Sequence, residues 1–148
     1  MYKHILIATD GSEVGRKGLE HGLSLAGSLK ARVTIVTVTE PYPIYAGGDF
    51  GTAPNGAMIA NYSSGQDETA NTILAAAEQA AKHANVEVET VHVADAQPGE
   101  AIIEAAKSHN CDLIVMGSHG RRGIGRLVLG SKTWEVVAHS QVPVLVVR

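Results

Sequence analysis

The sequence predicts a single α/β domain, spanning residues 1–148, in which short buried strands alternate with amphipathic helices. Continuous apolar runs such as 5–8 and 113–116 are typical of strands that are buried on both faces. The stretches between such runs repeat apolar residues at i, i+4 spacing, which indicates helices with one buried face. Strands and helices that alternate in this way form right-handed βαβ units, so a parallel sheet is expected.

Each element follows from its local pattern. Strands are predicted at 5–8, 32–38, 86–93, 113–116 and 142–147. Helices are predicted at 14–30 after an N-cap at Ser12, at 67–84, and from Pro98 onward. A fourth helix is expected to take Ser131 as its N-cap and to bury Trp134, Val137 and Ala138.

Residues 39–66 form an unusually long connection and hold three of the five prolines. Connections of this length are uncommon in compact domains and are either functional or poorly ordered. One interpretation is a variable surface loop with a single short helix. The other is a lid over a bound ligand.

Composition excludes several classes of protein. The net charge of −3 disfavours a dedicated nucleic-acid-binding protein, which would normally carry a basic excess. The single cysteine, Cys111, cannot form an intrachain disulfide, and its place before a buried strand predicts an inert packing thiol. The seven histidines lack metal-ligand spacing, so no protein-held metal is predicted. No stretch resembles a signal peptide or a membrane span, and a cytoplasmic protein is expected.

The strand at 113–116 leads into a glycine-rich loop and then into the last predicted helix. The loop contains Gly117, Gly120, Gly123, Gly125 and Gly130. Glycines allow a backbone to approach an anion closely, and the N–H groups at a helix start supply donors and partial positive charge. A phosphate-binding loop is therefore predicted. Asp10, at the end of the first strand, is expected either to bind a ligand or to bond within its own turn.

The loop does not match two well-known phosphate motifs. The dinucleotide fingerprint G-x-G-x-x-G would need a glycine where Val128 stands. A P-loop would need its lysine directly after the glycine, but Ser131 displaces Lys132 by one position. The spacing instead satisfies G-x2-G-x9-G-[ST], through Gly117, Gly120, Gly130 and Ser131.

With this motif, the opening segment 5–12 and the ending 143–147, the chain resembles the ATP-binding branch of the universal stress protein family along almost its whole length. The resemblance implies an open, Rossmann-like sheet of five parallel strands in the order 3-2-1-4-5, like that of the adenine nucleotide alpha hydrolases. In that order the first and fourth strands are neighbours, so the loops that follow them would lie side by side.

The resemblance also implies residue roles. Ala8, Thr9 and Asp10 would lie on the adenosine side, and Val38 would meet adenine. The ribose and phosphate path would be lined by Met116, Gly117 and Gly120. Phosphate would be held through backbone N–H and hydroxyl groups by Gly130, Ser131, Lys132 and Thr133. Arg121 would add positive charge, His119 sits where it could touch a ligand, and Mg2+ or Mn2+ could accompany the phosphates.

These residues predict a universal stress protein that binds ATP and acts in regulation. Any hydrolysis is expected to be slow, because the sequence offers no evident base and no P-loop lysine. Three alternatives stay open: a regulator of a partner such as a transporter, with nucleotide incidental; a binder of AMP or cyclic AMP; and a true hydrolase or transferase. The apolar strand 142–147 would lie at a sheet edge, and a homodimer through it is expected.

Overall fold

A computed structural model describes residues 1–43, 55–119 and 128–148 of the chain. The predicted residues Gly120 and Arg121 therefore lie outside the described residues. In chain order the elements are β1 (His4–Ala8), α1 (Glu13–Leu29), β2 (Arg32–Val38), α2 (Gly56–His83), β3 (Val88–Val93), α3 (Pro98–Ser108), β4 (Leu113–Gly117), α4 (Ser131–His139) and β5 (Val144–Val147).

The strands form one parallel sheet in the order β3-β2-β1-β4-β5, which confirms the predicted fold. β1 pairs with β2 on one side and with β4 on the other, where Ala8 is in register with Met116. The winding of the chain reverses between β1 and β4. Ligands of open α/β sheets bind at such a point, beyond the carboxyl ends of the strands.

Two apolar layers enclose the sheet because successive strand residues point to opposite faces. Ile5 and Ile7 of β1 pack in the layer that includes buried residues of α1 and α2. Leu6 and Ala8 pack in the layer that includes buried residues of α3 and α4. Both faces are covered, as the continuous apolar runs predict.

Helix α1 lies unusually close to the end of β4. A Cβ atom added at Gly18 would be 3.1 Å from the backbone nitrogen of Gly117, and one added at Gly117 would be 2.8 Å from Cγ1 of Val14. A side chain at either position would require neighbouring atoms to move. Because Gly18 and Gly117 have no side chains, the first turns of α1 can pack closely against the end of β4, where the glycine loop begins.

Two predicted boundaries are wrong. Helix α2 begins at Gly56, not at 67, and residues 56–66 form its first turns and not a loop. Most of these residues are exposed, so they show no apolar periodicity that would predict a helix. The N-cap of α4 is Gly130, and Ser131 is the first residue inside the helix.

The predicted buried face of α4 is also wrong. The helix buries Thr133 and Val136, whereas Trp134 and Val137 are 59% and 46% exposed. A helix of nine residues covers little of the sheet, and its apolar pattern does not reveal which stripe faces inward. The exposed pair leaves an apolar surface on this helix.

Candidate functional site

The loop after β1 is shaped by hydrogen bonds to its own backbone. The Ser12 N–H donates to Oδ1 of Asp10 at 2.9 Å, and the Gly15 N–H donates to the Ser12 hydroxyl at 3.1 Å. Ser12 is thereby the N-cap of α1, as predicted. The turn-forming role foreseen for Asp10 is present, and this residue also lines the cavity described below.

Two hydrogen bonds join the end of β4 to the start of α4, and a third joins it to β5. The Ser118 N–H donates to the Val147 carbonyl at 2.7 Å, and the Gly130 N–H donates to the Ser118 carbonyl at 2.8 Å. The buried Thr133 hydroxyl donates to the Gly117 carbonyl at 2.9 Å. These bonds hold the amino end of α4 beside the carboxyl end of β4.

Two of the predicted phosphate donors are therefore already engaged. The Gly130 N–H and the Thr133 hydroxyl both bond to protein carbonyls in this structure, whereas the predicted backbone N–H of Thr133 is not used in these bonds. The first hydrogen bond of α4 runs from the Trp134 N–H to the Gly130 carbonyl at 2.8 Å. The N–H groups of Ser131, Lys132 and Thr133 precede it in the first turn, where an N–H has no partner within its own helix.

Between the two loops lies a cavity of about 630 Å3, within the range of about 300–1,000 Å3 that is common for small-molecule sites. It brings together predicted residues from both loops and from the end of β2: Asp10, Val38, His119, Gly130, Ser131, Lys132 and Thr133. An adjoining lobe of about 90 Å3 includes Ala8, Thr9, Val38, Met116 and Gly117. Asp10, Val38, His119, Lys132 and Thr133 line both spaces.

The smaller lobe is mainly apolar. Val36 and Ile102 line it together with Ala8, Val38 and Met116. The larger cavity is bounded by hydroxyl, carboxylate and ammonium groups and by the start of α4. A ligand with one apolar, flat end and one anionic end would match both parts.

Helix α2 forms a wall of the larger cavity that sequence reasoning missed. Tyr62, Gln66, Thr69 and Ile73 line the cavity, and their spacing of i, i+4, i+7 and i+11 is that of one helical stripe. Thr69 and Ile73 belong to the predicted helix, but Tyr62 and Gln66 lie in the stretch that was expected to be a loop, so the stripe was not recognised. Residues 44–54, which belong to the predicted loop or lid, lie outside the described residues.

Hydrogen bonds connect this wall to Glu40, which lies just after the end of β2. The Tyr62 hydroxyl donates to the Glu40 carbonyl at 3.4 Å, and the Gln66 side chain donates to the Tyr62 hydroxyl at 3.1 Å. The Glu40 carboxylate in turn lies 3.0 Å from Nζ of Lys132. A polar chain therefore connects α2 to the first turn of α4.

A larger surface groove, about 970 Å3, runs along α3 and the edge strand β3. Asp95, Glu100, Glu104 and Glu135 line it, and its lining includes no lysine or arginine among the described residues. Its negative charge is unsuited to a phosphate ligand. The cavity at the strand ends is therefore the better candidate for an anionic ligand.

The single cysteine lies apart from this cavity. Cys111 is buried, which fits the predicted packing role, and burial raises the pKa of its thiol to about 11. Within residues 1–43, 55–119 and 128–148, no group of three or more His, Cys, Asp or Glu side chains could hold a metal ion. Across the same ranges, no helix is both long and apolar enough to cross a membrane.

The fold and the cavity define a doubly wound α/β protein with a cavity at its topological switch point, and the start of α4 lines that cavity. The chain belongs to the universal stress protein family, whose model matches residues 1–148. It is 34% identical over 152 residues to a universal stress protein of Thermus aquaticus, and the match covers 100% of both chains.

Solved structures have the same fold. A universal stress protein in complex with cAMP has a TM-score of 0.74, with 24% identity and coverage of 99% of this chain and 97% of the other. The universal stress protein of Archaeoglobus fulgidus in complex with dAMP has a TM-score of 0.68, with 19% identity and coverage of 99% and 98%. At these identities, the likeness concerns the fold.

Proposed function

We propose that this protein binds an adenine nucleotide, with ATP as its main ligand, and acts as a nucleotide-dependent regulator. The observation that carries the proposal is the shared cavity between the Asp10 loop and the first turn of α4. The structures of family members with cAMP and with dAMP support an adenine nucleotide as the ligand class.

In this proposal the base lies toward the apolar lobe beside Val38 and Met116. The phosphates lie toward α4, where the N–H groups of Ser131 and Lys132 and the Lys132 ammonium supply donors and positive charge. Asp10 lines both spaces, so it would lie between these two ends. A divalent cation such as Mg2+ would be held through the phosphates and would neutralise part of their charge.

The first experiment is direct. Freshly purified protein is denatured, and the released nucleotide is identified by chromatography; calorimetry then compares ATP, AMP, cyclic AMP and adenosine. Release or binding of ATP with an affinity above that of AMP supports the proposal. Binding of cyclic AMP alone would reassign the ligand, and binding of none of the four would refute nucleotide binding.

A second candidate function, regulation through protein contacts, is favoured by the exposed apolar residues of the carboxyl-terminal elements. Trp134 and Val137 of α4 are exposed, and Leu145 of the edge strand β5 is 39% exposed. We propose that β5, within the segment 142–147, pairs with its counterpart in a second copy about a twofold axis, which would satisfy the edge of both sheets.

Light scattering after size exclusion tests this proposal. A dimer is expected at micromolar concentration, and Leu145→Lys should shift it to a monomer because the charge would be placed in the new interface. A pull-down of partner proteins, repeated with variants that do not bind ATP, separates the two functions. Equal capture by those variants would favour a role that is independent of nucleotide.

A further inference from the structure

Strand β3 forms one edge of the sheet, and its outer side is open. It pairs with β2 from Val88 to Val93, and no strand among the described residues pairs with its other side. None of its six residues is buried, whereas every residue of β1 and β4 is buried. An open strand edge offers a row of backbone N–H and C=O groups with which another extended chain can pair.

The bonds on the β2 side show which backbone groups of β3 point outward. The Thr39 N–H, just past the end of β2, donates to the Val93 carbonyl at 2.9 Å, so the backbone groups of Val93 point toward β2. Successive residues of a strand direct their N–H and C=O groups to opposite sides, and His92 therefore directs its groups outward. The same alternation applies to Thr90. These two residues carry the groups that an added strand would bond.

Natural sheet edges often carry lysine, proline or a bulge, which prevent pairing with another chain. The sequence of β3, Val-Glu-Thr-Val-His-Val, contains neither lysine nor proline, and Glu89 is its only carboxylate. Its register with β2 runs from Val88 to Val93 without an inserted residue. The edge therefore has little protection against pairing with a suitable partner.

A groove of about 970 Å3 runs beside this edge, on the face of the sheet that α3 covers. Val91 and Val93 line it from the strand, and Ala101 and Ala105 line it from α3. Both valines are partly exposed, and the small alanine side chains leave room beside them. On this face, the side chains of an added strand would enter a space with apolar walls.

Carboxylates lie at both ends of this pair of valines. Glu89 precedes Val91 and shares its face of β3, because alternate residues of a strand point to the same face. Asp95 follows the strand and lines the groove. The order along the groove is thus acid, valine, valine, acid, and no described lysine or arginine lines it. A complementary segment would carry basic side chains at its two ends and apolar ones between them.

We propose that the edge of β3 is a docking site for an extended segment of another protein, with the pattern basic-x-apolar-x-apolar-x-basic. The segment adds a sixth strand to the sheet, with its apolar side chains beside Val91 and Val93 and its lysine or arginine side chains beside Glu89 and Asp95. Backbone hydrogen bonds supply affinity in such complexes, and alternate side chains supply specificity. The pattern reads the same in both directions, so it fits a parallel or an antiparallel segment.

The inference is independent of nucleotide binding, since no residue lines both this groove and the cavity at the strand ends. A second copy of this chain is a poorer occupant than a basic partner. Pairing of two β3 strands would bring the carboxylates of both copies to one edge, and like charges in facing positions are destabilising. The edge lies on the opposite side of the sheet from β5, so the dimer proposed above would leave it open.

The probe is a synthetic peptide with blocked ends, Lys-Thr-Val-Thr-Val-Thr-Lys, which is added to the full, isotope-labelled chain and followed by NMR. Saturable shifts of the β3 amide signals are expected. The N–H groups of Thr90 and His92 should exchange with solvent more slowly in the complex, because they become bonded to the peptide.

Two further peptides test whether backbone bonds hold the segment. One is N-methylated at its threonines and the other at its valines, so that each keeps the side chains but lacks one set of N–H donors. One of the two should lose binding, because only one set faces β3. Loss with the threonine peptide would indicate an antiparallel segment, and loss with the valine peptide a parallel one.

A charge exchange tests the proposed position of the basic side chains. Glu89→Lys should weaken binding of the lysine peptide by about 2- to 30-fold, because an attraction between facing charges becomes a repulsion. A peptide with glutamate in place of both lysines should bind Glu89→Lys more tightly than it binds the unaltered protein, a gain that a misfolded variant could not produce. Glu20→Lys is the matched control, since Glu20 is exposed on α1 and its replacement changes the net charge equally. Both affinities should be nearly unchanged in that control.

Several outcomes would overturn the inference. These are no shift at about 1 mM peptide, where even weak complexes form, or binding that survives both sets of N-methyl groups. Equal weakening by Glu89→Lys and Glu20→Lys would show a general attraction to an acidic protein and would overturn it as well. Shifts of the β3 amides that depend on protein concentration without peptide would assign the edge to a second copy instead.

Discussion

The Lys132 ammonium lies 3.0 Å from the Glu40 carboxylate, and both residues line the cavity. Lys132 is the second residue of α4, so its positive charge adds to that of the helix start. Glu40 follows the end of β2 and is joined to α2 through Tyr62. The carboxylate thus stands where a phosphate of the proposed ligand would be expected to meet the cation.

Glu40→Gln should strengthen ATP binding because it removes both the competitor for Lys132 and a negative charge near the phosphates. The two side chains are 51% and 45% exposed, and exposed ion pairs are worth about 0.2–1 kcal/mol. The expected gain in affinity is therefore about 1.5- to 5-fold, measured by calorimetry at low ionic strength. Affinity for adenosine, which carries no phosphate, should not change.

Glu20→Gln is the control for that measurement. Glu20 is an exposed residue of α1, and its replacement changes the net charge by the same amount. An equal gain from Glu20→Gln would show a general charge effect and not competition for Lys132. An equal gain for adenosine would argue against a phosphate position beside this lysine.

Thr133→Val should both destabilise the protein and weaken nucleotide binding. The buried Thr133 hydroxyl is a partner of the Gly117 carbonyl, and removal of a partner from a buried polar group costs about 1–3 kcal/mol. The bond also fixes the first turn of α4 to the end of β4, so its loss should displace the donors for phosphate. Urea unfolding and calorimetry measure the two effects.

Thr133→Ser keeps the hydroxyl and should retain most of both properties. If valine at this position left ATP affinity unchanged while stability fell, the link between β4 and α4 would be structural alone. The N–H groups of α4 would then have to be positioned by other contacts.

Gly130→Val should greatly reduce ATP binding. A Cβ atom at Gly130 would lie 3.0 Å from Cα of His119 and 3.3 Å from the Ser118 carbonyl oxygen, so the start of α4 would have to shift. Gly65→Ala in α2 is the opposite case, with no atom within 4 Å of the added carbon. That change should stabilise the helix by about 0.5–1 kcal/mol and leave binding intact. Unchanged ATP affinity in Gly130→Val would refute the placement of phosphate at α4.

The sheet and the location of the cavity were predictable because both depend on strong local patterns. The run 5–8 has no polar residue and must be buried on both faces, and the glycine loop follows a similar run. The resemblance to a family then supplied the strand order, which places the Asp10 loop beside α4. These features need no knowledge of individual side-chain contacts.

The contacts of His92 were not predictable from sequence: its Nε2 lies 2.8 Å from the Thr39 hydroxyl, and its Nδ1 lies 3.9 Å from the Asp67 carboxylate. Thr39, Asp67 and His92 are far apart along the chain and share no spacing motif. They meet because β2 and β3 pair with Val38 opposite Val93, and because α2 extends back to Gly56 along the cavity. Asp67 lies inside the helix predicted at 67–84, but the packing of that helix against β3 could not be derived from the sequence.

The stability of the protein should fall in mild acid because of His4. Burial lowers the pKa of this imidazole below the ordinary value of 6.5, and the Arg32 and His109 charges lower it further, against opposing effects of Asp112 and Glu89. Nε2 bonds to the Thr34 hydroxyl at 2.8 Å, while buried Nδ1 has no partner among the described residues. The folded chain therefore favours neutral His4, and the unfolded chain binds the proton more readily.

This difference in proton binding makes the free energy of unfolding fall as the pH is lowered. Above about pH 6.5 both states hold His4 neutral and its full contribution to stability is present; it declines as the pH falls from 6.5 toward the lower pKa of the folded state. His4→Gln, which keeps an amide near Thr34 but cannot take up a proton, should lose less stability than the unaltered protein between about pH 7 and pH 5. His21→Gln, on the exposed side of α1, should behave like the unaltered protein. Urea unfolding across this range measures the slopes, and identical slopes for the unaltered protein and His4→Gln would show that His4 does not couple proton binding to folding.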